Sequence, residues 1–123
     1  MSQEFSGGRS AADVLQHHLQ ALADGNLDAM LSDYARDAVM FTPRGILRGK
    51  AAIRPVFIAI LADLSHPQAS FQLVHHAAEG AVAYMVWTAT TADRIYEMGT
   101  DTMIVEQGLI VAQTYAGKVT QRR

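Results

Sequence analysis

The chain has 123 residues, half of them hydrophobic and 18% charged, with a formal net charge of −2. That length suits one domain, which buries roughly two thirds of its unfolded surface. The charge balance argues against electrostatic nucleic-acid binding, which needs a clustered basic surface. The chain contains no cysteine, which excludes disulfides, thiolate nucleophiles and cysteine-based zinc sites and agrees with a reducing cytoplasm.

The opening "MSQEFSGGRS" is polar and glycine-rich, so residues 1–9 are expected to be a flexible terminus before a domain over residues 10–119. Ser10 and Asp13 form a capping-box start, and Val14, Leu15, Leu19 and Leu22 recur at helical spacing. Gly25 ends this helix and Asn26 caps a second, "LDAMLSDYA". "AVMFT" is a brief strand, "PRG" a turn and "ILRG" a second short extended piece.

A long helix follows. Ile53, Val56, Phe57, Ile60, Leu61 and Leu64 make a broad apolar stripe, with Pro55 tolerated in the first turns, until "SHPQ" breaks it. The longest strongly apolar stretch, "VFIAILADL", is too short to span a bilayer, so no membrane partner is expected. Four strands then alternate with turns: "SFQLVHHAA", "AVAYMVWTATT", "RIYEMGTDTMIVE" and "LIVAQTYAGKV", separated by "EG", "AD" and "QG". The closing residues 120–123 read as a polar, solvated tail.

These elements predict an α+β fold in the order α-α-β-α-β-β-β-β. Three N-terminal helices would pack on a strongly curved antiparallel sheet and leave a cone-shaped cavity at its open end.

Within "GTDTMIV", alternation puts Asp101 on the same face as Met103 and Val105. An unpaired carboxylate costs several kcal/mol to bury, so that face is wet or Asp101 has a partner. His18 lies on the buried stripe of the first helix, whereas His17 is rotated toward solvent. Asp101 and His18 are therefore the candidate catalytic pair, because a carboxylate fixes the tautomer of a nearby imidazole. The other reading is that the two groups simply satisfy each other in the core.

Trp87 is expected inside, as a pocket wall or an ordinary core aromatic. Tyr34, Tyr84 and Tyr115 are possible hydroxyl donors, and one of Gln113 and Thr114 must face the cavity. Phe57 and Met103 complete the expected lining. His75 and His76 are adjacent on a strand and point to opposite faces, which does not suit a metal. No HExxH, nucleotide-binding or nucleophile-elbow signature occurs, and no metal or cofactor is expected.

The segment "ALADGNLDAMLSDYARDAVMFTPRGILRGKAAIRPVF" resembles the first half of the nuclear-transport-factor-2-like superfamily. That superfamily includes SnoaL-like polyketide cyclases and ketosteroid isomerases. "GTDTMIVEQGLIVAQTYAGKV" resembles its last hairpin. The resemblance implies the cone fold. It places Asp101 at the position of the protonated, hydrogen-bond-donating Asp of ketosteroid isomerases, and His18 where their oxyanion-hole tyrosine lies. The position of the isomerase base falls at or next to Thr42, where no residue can abstract a proton, so steroid isomerisation by that mechanism is not expected.

The SnoaL-like cyclases are the nearer resemblance. They imply a small hydrophobic carbonyl ligand and cofactor-free proton transfer of the isomerase, cyclase or dehydratase type, with Asp101 and His18 central. A homodimer through the outer sheet face is expected. The alternative is a non-catalytic ligand-binding or dimerisation module on the same fold.

Overall fold

The computed structural model describes residues 8–122. The capping box at the first helix, α1 (Ala11–Ala23), forms as expected: Asp13 N donates to Ser10 Oγ and Ser10 N donates to Asp13 Oδ2, both at 3.1 Å. Such a cap stabilises a helix by about 1 kcal/mol. Val14, Leu15, His18 and Ala21 form its buried stripe. Asn26 caps α2 (Leu27–Leu31) by accepting from Ala29 N at 3.0 Å.

The helix α2 ends earlier than the expected "LDAMLSDYA", because Tyr34 already opens β1 (Tyr34–Thr42) and is paired with Ile110. Strand pairing outweighs local helix propensity there. β2 (Gly45–Arg48) folds back on β1 as a hairpin, and α3 (Lys50–Leu64) follows without a break at Pro55. β3 (Ser70–Glu79), β4 (Val82–Thr90), β5 (Arg94–Glu106) and β6 (Leu109–Gln121) form the expected antiparallel meander.

The sheet order is β2-β1-β6-β5-β4-β3. The β1–β6 pair is parallel, which differs from the all-antiparallel expectation. It joins the N-terminal hairpin to the end of the meander. The Gln107–Gly108 turn between β5 and β6 has φ of +54° and +78°, the two positive values that a tight hairpin turn of this hand requires.

The pairing register shifts at Leu73/His75, Trp87/Ala89, Tyr96/Met98 and Ile104/Val105. Each irregularity bends its strand, and together they curl the sheet without closing it. The helix α1 lies over β3, β4 and β5, while α3 lies over β1 and β2. The core lies on the concave side, with Val14, Met30, Tyr34, Ile53, Met103 and Ile110 almost wholly inaccessible. No helix among the described residues is long and apolar enough to cross a membrane.

The expected flexible terminus falls largely on residues 1–7, which lie outside the described residues. Arg9 is described and is anchored: it donates to Asp33 Oδ1 at 2.9 Å and to the Gly108 carbonyl at 2.7 Å. At the other end, Thr120 and Gln121 pair with Ile95 and Arg94 inside β6.

Candidate functional site

Register builds the site. Asp101 on β5 is directly opposite Met85 on β4 and Tyr115 on β6. Its diagonal neighbours on those strands are Trp87 and Gln113, within reach of long side chains on the same face. Trp87 Nε1 donates to Asp101 Oδ1 at 2.8 Å, and Gln113 Nε2 donates to Asp101 Oδ2 at 2.7 Å. Tyr34 Oη donates to Gln113 Oε1, which orients the amide with its nitrogen toward Asp101.

Asp101 is 8% exposed, and neither of its two hydrogen-bond donors is a cation. Burial pushes its pKa above the ordinary carboxylate value, and the bonds from Trp87 and Gln113 only partly offset that. Burial also lifts the Tyr34 hydroxyl well above its usual range, and the Asp101 and Asp33 carboxylates add to the effect.

His18 is 3% exposed, and its nearest polar partner is Asp33, not Asp101. Its Nδ1 lies 3.3 Å from Asp33 Oδ2. Asp33 is wholly buried between α2 and β1 and is shared with two other groups. His17 Nδ1 lies 2.7 and 2.9 Å from its two oxygens, and Arg9 reaches Oδ1. Burial alone would raise the Asp33 pKa, but the bonds from His18, His17 and Arg9 outweigh it and hold the carboxyl below its ordinary value.

The two carboxyls thus form separate clusters with opposite electrostatics, and His18 stands between them. Its ring meets Tyr34 edge-on at 5.5 Å between centroids and Phe57 at 5.4 Å. Tyr34 in turn belongs to the Asp101 cluster through Gln113.

The expected lining residues come together on the concave side. Trp87, Tyr34, Phe57, Met103 and Gln113 are buried and Tyr115 is half-buried. Gln113, not Thr114, faces inward. Tyr84 is elsewhere: it is on the outer sheet face, against the ring of His75.

Several contributors were not legible beforehand. Asp33 sits at a helix-to-strand junction with no periodicity to assign its face. Phe71 and Tyr96 flank the Trp87 ring, with centroids 5.7 and 5.6 Å away, and Tyr115 lies nearly parallel to it at 6.1 Å. Gly99 makes this arrangement possible, because a Cβ there would lie 2.2 Å from Trp87 Cζ2. The isolated Gly within the strand pattern was the available signal for such a close approach.

Among the described residues there are surface concavities of about 690 and 660 Å³. The first is lined by Phe71, Tyr96, Gln72, Thr88 and Glu97 among others, so it borders the aromatic flank of Trp87, and the second by Arg36, Asp37, Val39, Arg48 and Gly49. Neither of these two is lined by His18 or Asp101. Among the described residues no group of three or more His, Cys, Asp or Glu is placed to hold a metal.

The curved, unclosed sheet covered by helices on its concave face matches the nuclear-transport-factor-2-like cone fold. The chain belongs to the SnoaL-like domain family, whose model matches residues 15–113. No curated protein matches it in sequence. Among solved structures it is similar to SalBIII, described as an epoxide hydrolase/cyclase-like enzyme in pyran ring formation. That match has a TM-score of 0.75 and 12% identity, covering 91% of this chain and 95% of the other. An NTF2-like protein of unknown function from Mesorhizobium loti matches with a TM-score of 0.73 at 20% identity, covering 88% and 90%. A Kribbella flavida protein provisionally assigned as a ketosteroid isomerase matches with a TM-score of 0.73 at 15% identity, covering 92% and 81%.

Proposed function

We propose that the chain binds a small hydrophobic carbonyl compound on the concave side of the sheet and performs proton-transfer chemistry on it, using Asp101 and His18. The observation that carries this reading is the Asp101 carboxyl, buried in an apolar cone, bonded only to neutral donors and made more basic by its burial. A carboxylate of raised pKa removes a proton alpha to a carbonyl more readily than an exposed one, and once protonated it is the acid that returns it. Return to a different carbon is isomerisation. If the enolate carbon first attacks a second carbonyl, the proton goes to the new alkoxide and the product is a ring. Loss of a β-hydroxyl with that proton is dehydration. His18, on the other side of Tyr34, is the second proton-handling group.

Entry would be between the C-terminal half of α3, where Ile60 and Leu61 are only partly buried, and the half-buried Phe71, Tyr96 and Tyr115. The test is hydrogen–deuterium exchange at the alpha carbon of cyclic ketones and enones in D2O, followed by NMR. Protein-dependent exchange should fall by roughly 10²-fold or more in Asp101→Asn, the scale of a lost general base. Trp87, the sole tryptophan, reports binding through its fluorescence. A panel that changes neither the fluorescence nor the exchange rate would overturn the reading.

The outer sheet face supports a second proposal, a homodimer. Ile46, Phe41, Thr114, Thr102 and Tyr84 form one cross-strand row, and Val39, Ala112, Ile104 and Val82 a neighbouring one. Phe41, Ile46, Val82, Tyr84 and Ile104 are all exposed. A cluster of exposed apolar side chains on neighbouring strands favours association. Light scattering should give twice the chain mass, and Ile104→Glu should reduce it to one; a wild-type monomer at micromolar concentration excludes the dimer.

A further inference from the structure

We infer that Asp33 is a positioning residue for His18: it holds the ring as the Nδ1–H tautomer and so leaves a bare Nε2 lone pair on the side away from Asp33, available to a proton or hydrogen-bond donor on the ligand. The inference deepens the proposed function and rests on it for the ligand's presence.

An ionised carboxylate has lone pairs and no proton, so every nitrogen that hydrogen-bonds to it must bring one. Asp33 stays ionised although it is wholly buried, because Arg9, His17 and His18 surround its two oxygens. His18 faces it through Nδ1, so that nitrogen carries the hydrogen. The guanidinium of Arg9 already supplies the compensating positive charge at 2.9 Å. Asp33 therefore has a cationic partner besides the two rings, and the Nδ1 contact of His18 is one of several that satisfy it.

In imidazole the two nitrogens point in nearly opposite directions. With Nδ1 on Asp33, Nε2 is directed away from it, in a ring 3% exposed and flanked edge-on by Tyr34 and Phe57. Among the described residues no hydrogen bond reaches that nitrogen. A buried acceptor without a partner is costly, and a donor on a bound molecule would satisfy it. Asp101 differs in this respect, since both of its oxygens already accept from protein groups.

The role is read directly from the ring. Long-range proton–nitrogen NMR of the full chain at pH 8, with His18→Gln used to assign the signal, should show a protonated Nδ1 and a bare Nε2. A protonated Nε2 in the wild type overturns the inference. Asp33→Asn should move the proton to Nε2 or mix the tautomers; a merely structural Asp33 would lose stability with the tautomer unchanged. Should Asp33→Asn not fold, His17→Gln decides the point. It keeps the Asp33–His18 contact and must keep Nδ1–H, and a tautomer change there overturns the inference.

Binding of 4-tert-butylphenol and of its methyl ether, measured by calorimetry, adds a functional reading. The phenol, which can donate to Nε2, should lose at least tenfold in affinity in Asp33→Asn, while the ether stays within twofold. Equal losses for both overturn the positioning role. Absence of binding to the wild type counts against the ligand reading of the cone, whereas the tautomer decides Asp33 without any ligand.

Discussion

Trp87 Nε1 donates to Asp101 Oδ1 at 2.8 Å, tying the sole tryptophan of the chain to its buried central carboxyl. The bond runs diagonally between adjacent strands and is possible because Gly99 leaves the floor of the sheet bare beneath the indole. Position and electrostatics are therefore coupled: whatever moves the ring also changes how Asp101 is solvated.

Gly99→Ala tests that coupling. The new methyl would overlap the indole, whose atoms Cζ2, Cε2 and Cη2 lie 2.2–2.6 Å from the added carbon. Overpacking of this kind costs about 1–3 kcal/mol. Urea unfolding should show that loss, and the Trp87 emission should shift to longer wavelength as the ring is displaced toward water. Unchanged emission would mean that the indole does not lie across Gly99.

Asp101→Asn should change the pH dependence of stability more than stability itself. The folded-state pKa of Asp101 is raised, so the folded chain holds this proton more tightly than the unfolded one. Its favourable contribution is complete below the unfolded value near 3.8 and is lost as pH rises through the folded pKa. Urea midpoints from pH 4 to pH 8 should therefore decline more with pH in the wild type than in Asp101→Asn. Asparagine keeps an acceptor for Trp87, and the Gln113 amide can turn to meet its nitrogen, so the variant should fold. Parallel pH curves for the two proteins would refute the raised pKa.

Asp33 has the opposite sign. Its folded-state pKa is lowered, so its contribution is present above the unfolded value near 3.8 and disappears as pH falls through the folded pKa. Acid should unfold the wild type below about pH 4 partly through this group. At pH 7, Asp33→Ala leaves Arg9, His17 and His18 without their shared acceptor and should cost about 3–5 kcal/mol, the scale for removing one partner of a buried ion pair. Thermal unfolding at both pH values checks this, and a loss larger at pH 3 than at pH 7 would contradict the assignment.

The fold was legible because most of it is written in periodicity. The alternation in "GTDTMIVEQ" and the 3–4 spacing in "IRPVFIAIL" depend on which face must be apolar, and each element carries that information in its own residues. The same alternation placed Asp101 on the face of Met103 and Val105, and helical spacing placed His18 inside, whereas the choice between Gln113 and Thr114 came only with the structure. The capping residues Ser10 and Asn26 marked their helix starts for an equally local reason.

Which polar groups met each other was decided by the tertiary structure. His18 and Asp101 share the interior, yet His18 turns its Nδ1 to Asp33, because the short α2 and the early start of β1 bring that carboxyl beneath α1. No pattern within "SDYAR" specifies a face for Asp33, and its partners lie 15, 16 and 24 residues away. Likewise Trp87 and Gln113 reach Asp101 only through the register of three strands, which a slip of one residue would undo. Periodicity is a property of one element and can be read along the chain, whereas a hydrogen bond between elements requires the positions of both, and those exist only once the sheet has curled around its helices.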